Sequence, residues 1–514
     1  MKEKKIIIVG GGMGGLCAAI ALAGRGLQVT LLEAAPTVGG KLREVDVGGA
    51  KIDGGPTVFT MRWVFDELFA EAGVEWPDTL TLDRANILAR HAWSDGAQLD
   101  LFADIRQSAD AIGEFSGKAE AQRFLRFAKN AGEIYRILES PFLRSSRPSL
   151  VKMMRSVGLG GLKTRPFSKL WNALGDHFTD PRLIQLFGRY ATYCGCSPYL
   201  APATLMLVAH VEMEGVWLVR GGMYRLAESL RATGERLGVT TRTNTAVTKI
   251  VTKGNAVVGV ETAAGEDLSA DAVLVNADAS ALAAGFFGPD VASVVDGVPP
   301  NNRSLSALAW TLVADVSGLD LLRHTVFFNR DYRREFTDIF DRSKLPSEPT
   351  VYVCAQDRGA QDQEADEPAK ATGPERLLMI INAPPTGDRP TFDRLEIEQC
   401  QERSIEHLSR CGLNVTVDPA ASLVTSPIEF DQLFPGSGGA LYGMANHRTN
   451  ASFNRPDSRT KFRGLYLAGG TVHPGPGVPM AALSGRLAAQ AILNDFTSTG
   501  RSTRGVTLGG TSTR

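Results

Sequence analysis

Five glycines, Gly10, Gly11, Gly12, Gly14 and Gly15, separate the β-branched run Ile6-Ile7-Ile8-Val9 from the small-residue run Leu16 to Ala23. Gly10, Gly12 and Gly15 fall on the G-x-G-x-x-G spacing. The first permits a tight turn, the second admits a pyrophosphate against the main chain, and the third lets a helix pack close to the strand. A helix starting there offers unpaired N–H groups and the positive end of its dipole to phosphate. A second strand pattern, Gln28 to Leu32, ends at Glu33, where a carboxylate can bind ribose hydroxyls and disfavours a 2′-phosphate. Strand, glycine turn, helix, strand and terminal acid together predict a dinucleotide site. The bland alternative is a glycine-rich turn in an ordinary α/β domain.

Two further loops extend this chemistry. Gly39-Gly40-Lys41-Leu42-Arg43 puts a second glycine pair before two bases, placed to reach the pyrophosphate from the far side. Asp53-Gly54-Gly55-Pro56-Thr57 follows a short strand pattern. Such loops match flavoproteins whose FAD lies buried along the domain, and simple dehydrogenases lack them. Residues 243–263 read as strands with a turn at Lys253-Gly254-Asn255; in FAD proteins of the type these loops resemble, such a segment covers the adenine, and Val247 is placed to meet it through its backbone. Ala272 to Asp278 reads as another buried strand.

Near the C-terminus the same logic repeats. A strand at Gly464 to Ala468 runs into Gly469-Gly470-Thr471-Val472-His473-Pro474-Gly475-Pro476-Gly477-Val478-Pro479, and an Ala/Leu-rich helix is expected from Met480 to about Leu493. A helix N-terminus behind a glycine turn suits a ligand with developing negative charge, such as reduced flavin. Gly469, Gly470, Gly477 and Val478 are therefore candidate cofactor contacts, and His473 is the first candidate proton acceptor. Glu212 and Glu214, beside Trp217, are further candidates. The Cys194-Gly195-Cys196 pair lacks a second Cys/His pair at zinc-like spacing, so no metal is expected. His210 reads as a core histidine.

The elements that must position these groups follow from composition. At 514 residues the chain is long enough for two or three domains. Lys+Arg 55 against Asp+Glu 56 gives net charge −1, which argues against nucleic-acid binding by bulk charge. Six scattered cysteines suit reduced thiols rather than a disulfide framework. Of 54 glycines, thirteen lie in residues 1–55 and ten in residues 436–485, so both ends of the chain are expected to line a ligand. The charged N-terminus before Ile6 to Gly24 resembles a signal peptide, but the glycines interrupting that run favour strand, turn and helix. No other stretch approaches 18 uninterrupted apolar residues, so no transmembrane helix is expected.

Residues 58–72 carry apolar groups at helical spacing, and residues 105–135 read as polar helices. Residues 140–175 hold seven bases (Arg144, Arg147, Lys152, Arg155, Lys163, Arg165 and Lys169), no Asp or Glu, and large apolar groups between them. This pattern describes an interfacial membrane anchor; the alternative is a solvated basic face over a helical core. Residues 355–375 read as an exposed acidic loop and residues 497–514 as a disordered tail.

The order of these motifs, with Asn276-Ala277-Asp278 and His473-Pro474-Gly475, resembles the bacterial phytoene desaturase family of FAD-dependent carotenoid desaturases over nearly the whole chain. Residues 55–65, 189–199 and 210–217 look closest to its 1-hydroxycarotenoid 3,4-desaturase (methoxyneurosporene dehydrogenase) branch. The resemblance implies an oxidoreductase that removes two hydrogens across C3–C4 of an acyclic carotenoid hydroxylated at C1. It implies FAD as sole redox cofactor, quinone or oxygen as electron acceptor, and loading of substrate from the inner membrane by a cytoplasmic, peripheral protein of bacterial pigment synthesis. Where many flavoproteins of this fold place an Asp after the last strand, this chain has Gly469-Gly470.

The fold class this implies is α/β: a discontinuous Rossmann-like FAD-binding domain (residues 1–85, 215–290 and 431–496) around an inserted α+β substrate domain. That insert comprises a helical substrate and membrane-docking region at 86–214 and a sheet with helices at 291–430. Two other readings share these motifs. One is a phytoene desaturase proper or another flavin oxidoreductase of the fold, such as an amine oxidase. The other is a non-catalytic lipid-binding relative that has lost FAD, against which the intact Gly10–Gly15 loop and Glu33 argue.

Overall fold

The computed structural model describes residues 4–146, 148, 165, 167–359, 373–447 and 451–502, with side chains of the last helix described to residue 498. The β-branched run becomes the strand Lys5–Val9, central in a five-stranded parallel sheet. Its order is Leu465–Leu467, Ala272–Val275, Lys5–Val9, Gln28–Leu32, Thr240–Arg242. Ile8 faces Leu274 on one side and Leu31 on the other, so both ladders of the strand are paired and its apolar side chains bury on both faces. Three separated parts of the chain thus build one sheet, and their C-terminal ends open onto the glycine loops.

The helix Met13–Ala23 has ten of its eleven residues buried, which explains its small-residue composition: another helix lies directly on it. That partner is Val478–Ser502, and the two cross at Gly14 and Gly485, where a Cβ on Gly485 would lie 2.1 Å from the Gly14 carbonyl oxygen. An antiparallel three-stranded sheet, Val247–Lys253, Ala256–Thr262 and Asp267–Ser269, covers the other face of the parallel sheet.

The second large sheet has seven strands in the order Leu413–Thr425, Ser306–Gly318, Glu375–Ala383, Val351–Ala355, His324–Phe328, Ile87–Trp93, Gln98–Phe102. Helices Ile105–Ser116, Lys118–Leu138, Leu170–His177 and Pro181–Gly188 pack in one cluster with the edge of this sheet. The expectation of a helical region from 86 to 214 is therefore corrected at its start. Ile87–Trp93 and Gln98–Phe102 form an antiparallel hairpin that extends the substrate-side sheet, pairing Thr325 with Arg90 in parallel.

Other boundaries also shift. The expected helix over 58–72 starts at Trp63. The last helix begins at Val478 and runs to Ser502, so residues 497–502, read as disordered tail, are helical; 503–514 lie outside the described residues. Most of the acidic loop expected at 355–375 also lies outside them. All six cysteines are free, and no group of acids, histidines and cysteines that could hold a metal occurs among the described residues. Among those residues no helix is long and apolar enough to cross a membrane.

Candidate cofactor and active site

The glycine spacing at residues 10–15 is enforced by contact. Gly10 adopts φ +100°, and a Cβ there would meet the Asn276 carbonyl oxygen at 2.9 Å. A Cβ on Gly15 would lie 2.2 Å from the Gly10 carbonyl oxygen, so the helix can approach the strand only without one. Gly12 begins the helix, and no side chain caps it, which leaves its first N–H groups facing the groove. Gly14 lies against the Asn276 side chain and the last helix, so its lack of a side chain also serves packing.

The second glycine pair docks directly on the first loop. The Gly39 N–H donates to the Gly11 carbonyl at 2.8 Å, and a Cβ on Gly40 would lie 3.2 Å from the Gly12 Cα. Asn276, just past Ala272–Val275, closes the third side, its Nδ2 donating to the Gly10 carbonyl at 3.1 Å. Glu33 accepts from the Gly11 N–H at 2.6 Å and from the Ala35 N–H at 2.8 Å, which holds its carboxylate at the rim of the cradle. Val247 starts its strand at the same end of the molecule, since the Thr245 N–H donates to the Glu33 carbonyl at 2.8 Å.

The loop Gly54-Gly55-Pro56-Thr57 is anchored from both ends. A Cβ on Gly55 would lie 1.9 Å from the Lys41 carbonyl oxygen, so this loop and Gly40-Lys41 touch through backbone. Asp53, buried, accepts the Met223 and Tyr224 N–H groups at 2.6 and 3.0 Å, capping the helix Tyr224–Arg236. Beyond the loop, Thr57 hydrogen-bonds the Tyr352 hydroxyl at 2.7 Å, carrying the site into the seven-stranded sheet.

Three cations converge here without a carboxylate hydrogen bond among the described residues. Lys41 donates to the Leu441 carbonyl at 2.6 Å, and burial pushes its ammonium below the usual lysine range. In this arrangement Lys41 is tied to the 435–442 loop as well as adjoining the glycine cradle. Arg455 is 4% exposed and bonds only carbonyls, those of Tyr442, Met444 and Gly470. Its Nε has no partner, and burial lowers its pKa. Arg189 donates to the Tyr193 hydroxyl at 3.1 Å. Buried cations without a hydrogen-bonded counter-ion are costly, and the Asp278 carboxylate acts on Lys41 and Arg455 only through its charge, without a hydrogen bond. A cradle that a Cβ would fill, an uncapped helix and two such cations, Lys41 and Arg455, fit a bound diphosphate and a ring system that becomes anionic on reduction.

The C-terminal loop follows Leu465–Leu467. Gly469 and Gly477 take φ +116° and +111°, and Val478 opens the last helix. A Cβ on Gly469 would lie 3.0 Å from Asn276 Oδ1, so this turn abuts the first glycine loop. The two glycine clusters, more than 400 residues apart in sequence, meet in space. His473 is 2% exposed, and its Nε2 lies 3.0 Å from the Phe142 carbonyl oxygen. A carbonyl only accepts, so Nε2 carries the hydrogen toward Phe142, and Nδ1 makes no hydrogen bond among the described residues and keeps its lone pair, with the Ser145 backbone also close to the ring. Burial pushes the His473 pKa down to about 4.

Glu212 is 5% exposed and accepts hydrogen bonds from the hydroxyls of Tyr190 and Tyr193. Burial raises its pKa, against the stabilising pull of Tyr190 and Arg189. Glu214 instead faces solvent and pairs with His210 at 3.2 Å, which satisfies that histidine.

A scan of protein families matches residues 13–309 to the flavin containing amine oxidoreductases. Over the full chain it is 51% identical to the hydroxyneurosporene desaturase of Rubrivivax gelatinosus, covering 98% of that protein. The chain belongs to the flavin containing amine oxidoreductases, among the bacterial carotenoid desaturases. It is 42% identical to the hydroxyneurosporene desaturase of Cereibacter sphaeroides, over 97% of this chain and 99% of that one. The cyclohexylamine oxidase of Brevibacterium oxydans superposes with TM-score 0.55 at 15% identity, over 96% of this chain and all of that one, which establishes the fold alone. The enzyme is an FAD-dependent oxidoreductase, and the cradle described above fits that cofactor.

Three features of the site escaped sequence reading. Asn276 was visible as part of a motif but not as the residue that clasps Gly10. Arg455 is one of several bases between residues 448 and 463, with no periodicity or motif to single it out. Tyr352 and Arg189 meet across more than 160 residues, and only the sheet brings them together.

Proposed function

We propose that this enzyme introduces the C3–C4 double bond into acyclic 1-hydroxycarotenoids of the hydroxyneurosporene type. The observation that carries the reading is full-length identity of 51% to a hydroxyneurosporene desaturase, with the glycine cradle intact. Bound in the cradle, FAD supplies a hydride acceptor. The chain's own work is to hold it, exclude water and take the proton. Gly10, Gly12, Gly14, Gly15, Gly40 and Lys41 surround the pyrophosphate; Glu33 and Val247 meet the ribose and adenine; Gly55, Pro56, Thr57, Gly469, Gly470, Gly477 and Val478 border the ring. His473 Nδ1, with an unshared pair and no hydrogen bond among the described residues, is the proton acceptor in this reading. Its low basicity suffices because a conjugated polyene stabilises cationic character beside it once hydride has left. Glu212, already receiving two hydrogen bonds, is the weaker candidate.

The protein docks peripherally on the bacterial inner membrane, draws its substrate from it and passes electrons to quinone or oxygen. Half of the basic-apolar stretch 140–175 lies outside the described residues. Within it Phe167 is 83% exposed, which supports docking at this place. Arg144 and Arg165 are engaged in ion pairs with Glu67, Glu139 and Asp176, and Lys152, Arg155 and Lys163 lie outside the described residues. Flotation with anionic liposomes tests this: binding that survives charge reversal at those three positions overturns the assignment.

The function is tested by reconstituting the enzyme with membranes and supplying neurosporene, 1-hydroxyneurosporene and phytoene while following polyene absorbance. A red shift with the hydroxylated substrate is expected. Turnover of phytoene without turnover of the hydroxylated substrate would sink the reading.

A further inference from the structure

Arg189 opens the short helical turn Arg189–Cys194 after the helix Pro181–Gly188. Its guanidinium lies over the rings of Tyr193 and Tyr352, with centroids 5.3 and 5.4 Å away. Of its five N–H donors, the described residues engage one, through the Tyr193 hydroxyl at 3.1 Å. Arg189, Tyr193, Tyr352 and Thr57 are each only partly buried, which points to a space that they border rather than a packed core.

Each neighbour leads to one part of the enzyme. The Tyr352 hydroxyl links to Thr57 in the loop after Gly55 and to His324 Nδ1, at 2.7 Å each. Tyr193 donates to Glu212 at 3.3 Å. Further round the cluster, the Tyr332 hydroxyl and His324 Nε2 are buried without partners. The Tyr332 ring packs on Trp171 and Phe328, and Tyr199 packs on Phe336, so the surroundings of the cluster are aromatic and apolar. A cation with spare donors in such a chamber suits a neutral hydrogen-bond acceptor at the end of an apolar ligand.

A substrate desaturated at C3–C4 brings such an acceptor to this place. Its C1 oxygen is carried only two carbon–carbon bonds from C3, so the group that binds it must sit beside the reacting carbons. Thr57 borders the cofactor, and the chain Thr57–Tyr352–Arg189 is one layer deeper. We infer that Arg189, steered by the Tyr193 and Tyr352 rings, donates to the C1 oxygen of the carotenoid and sets the enzyme's preference for oxygenated over unsubstituted chain ends; this rests on the function proposed above. A donor to oxygen accepts a C1 methoxy group as readily as a hydroxyl, whereas a site built on Glu212 accepting the hydroxyl hydrogen rejects the ether.

The test uses the holoenzyme with its flavin photoreduced, so that polyenes bind without turning over, and reads binding from quenching of tryptophan fluorescence. The ligands are 1-hydroxyneurosporene, 1-methoxyneurosporene and neurosporene. Wild-type enzyme is expected to favour both oxygenated ligands over neurosporene. A charged hydrogen bond to a buried oxygen corresponds to roughly 10–100-fold in affinity, so Arg189→Met should erase a preference of that size and Arg189→Lys should restore part of it. Tyr352→Phe, which keeps the ring but unlinks Thr57 and His324, should reduce the preference by about 3–10-fold and provides the second reading if Arg189→Met does not fold. Unchanged preference in FAD-replete Arg189→Met or Tyr352→Phe overturns the assignment, as does rejection of the methoxy ligand by the wild type. Wild-type enzyme that prefers the oxygenated ligands but, when oxidised, never desaturates them refutes the function and leaves the role of Arg189 standing.

Discussion

Gly15→Ala separates the two things a glycine can do in a helix. In the first turn of Met13–Ala23, alanine should stabilise by about 1 kcal/mol on propensity alone. The added Cβ, however, would stand 2.2 Å from the Gly10 carbonyl oxygen, where real Cβ atoms stay beyond 3.0 Å. The helix must retreat by about 0.8 Å, and overpacking of that kind costs roughly 1–3 kcal/mol. The retreat also withdraws the N–H groups that face the diphosphate. Losing one charge-assisted hydrogen bond at roughly 1.5–3 kcal/mol predicts about 10–100-fold weaker FAD binding. Gly175→Ala is the control: it lies in the helix Leu170–His177 with nothing within 4 Å of its Cβ, and should stabilise by about 0.4–1 kcal/mol. Flavin content per polypeptide, FAD titration by fluorescence quenching and urea midpoints measure both variants. FAD affinity at the wild-type level in Gly15→Ala, or a shift in stability of the same sign in both variants, would refute the reasoning.

Other outcomes follow from the same structure. His473→Gln keeps a donor toward the Phe142 carbonyl but removes the Nδ1 pair, so kcat should fall about 100-fold with FAD content unchanged; full activity would exclude His473 as proton acceptor. Burial lowers the pKa of His91 and His473 to about 4 and of His324 to about 3. Below pH ~6.5 the unfolded chain binds protons that these histidines in the folded enzyme refuse, so stability falls as pH drops toward 4, by about 2 kcal/mol apiece at pH 5. Urea midpoints that stay flat between pH 7 and 5 would contradict this. Arg486 joins the last helix to Glu67, Glu71 and the Val64 carbonyl at 2.9, 2.7 and 3.1 Å. Because both acids are partly solvated, Arg486→Ala should cost about 1–3 kcal/mol, read as a lowered urea midpoint at constant slope.

What could be read from the sequence was whatever the backbone decides locally. Glycine at Gly10, Gly12 and Gly15 answers to a turn and a helix within six residues, and Ile6 to Val9 declares a buried strand by its side chains alone. The pairing of the two glycine clusters was legible as shared logic, because each follows a strand and precedes a helix. The hairpin at Ile87–Trp93 and Gln98–Phe102 was not, since its short mixed run lacks clean alternation and its register is set by Thr325 to Phe328, more than 200 residues away. The last helix was cut short because Thr497 and Ser498 have low helix propensity; their hydroxyls bond the preceding turn instead.

The sequence by itself therefore determined the cofactor cradle and the class of chemistry, since both depend on short segments where only glycine or an acid will serve. Tertiary structure alone decided which cations have no hydrogen-bonded carboxylate among the described residues, which tautomer His473 keeps, and that Arg189 meets Tyr352 beside Thr57. Those properties belong to no segment: they arise when elements distant in the chain are packed together and water is removed.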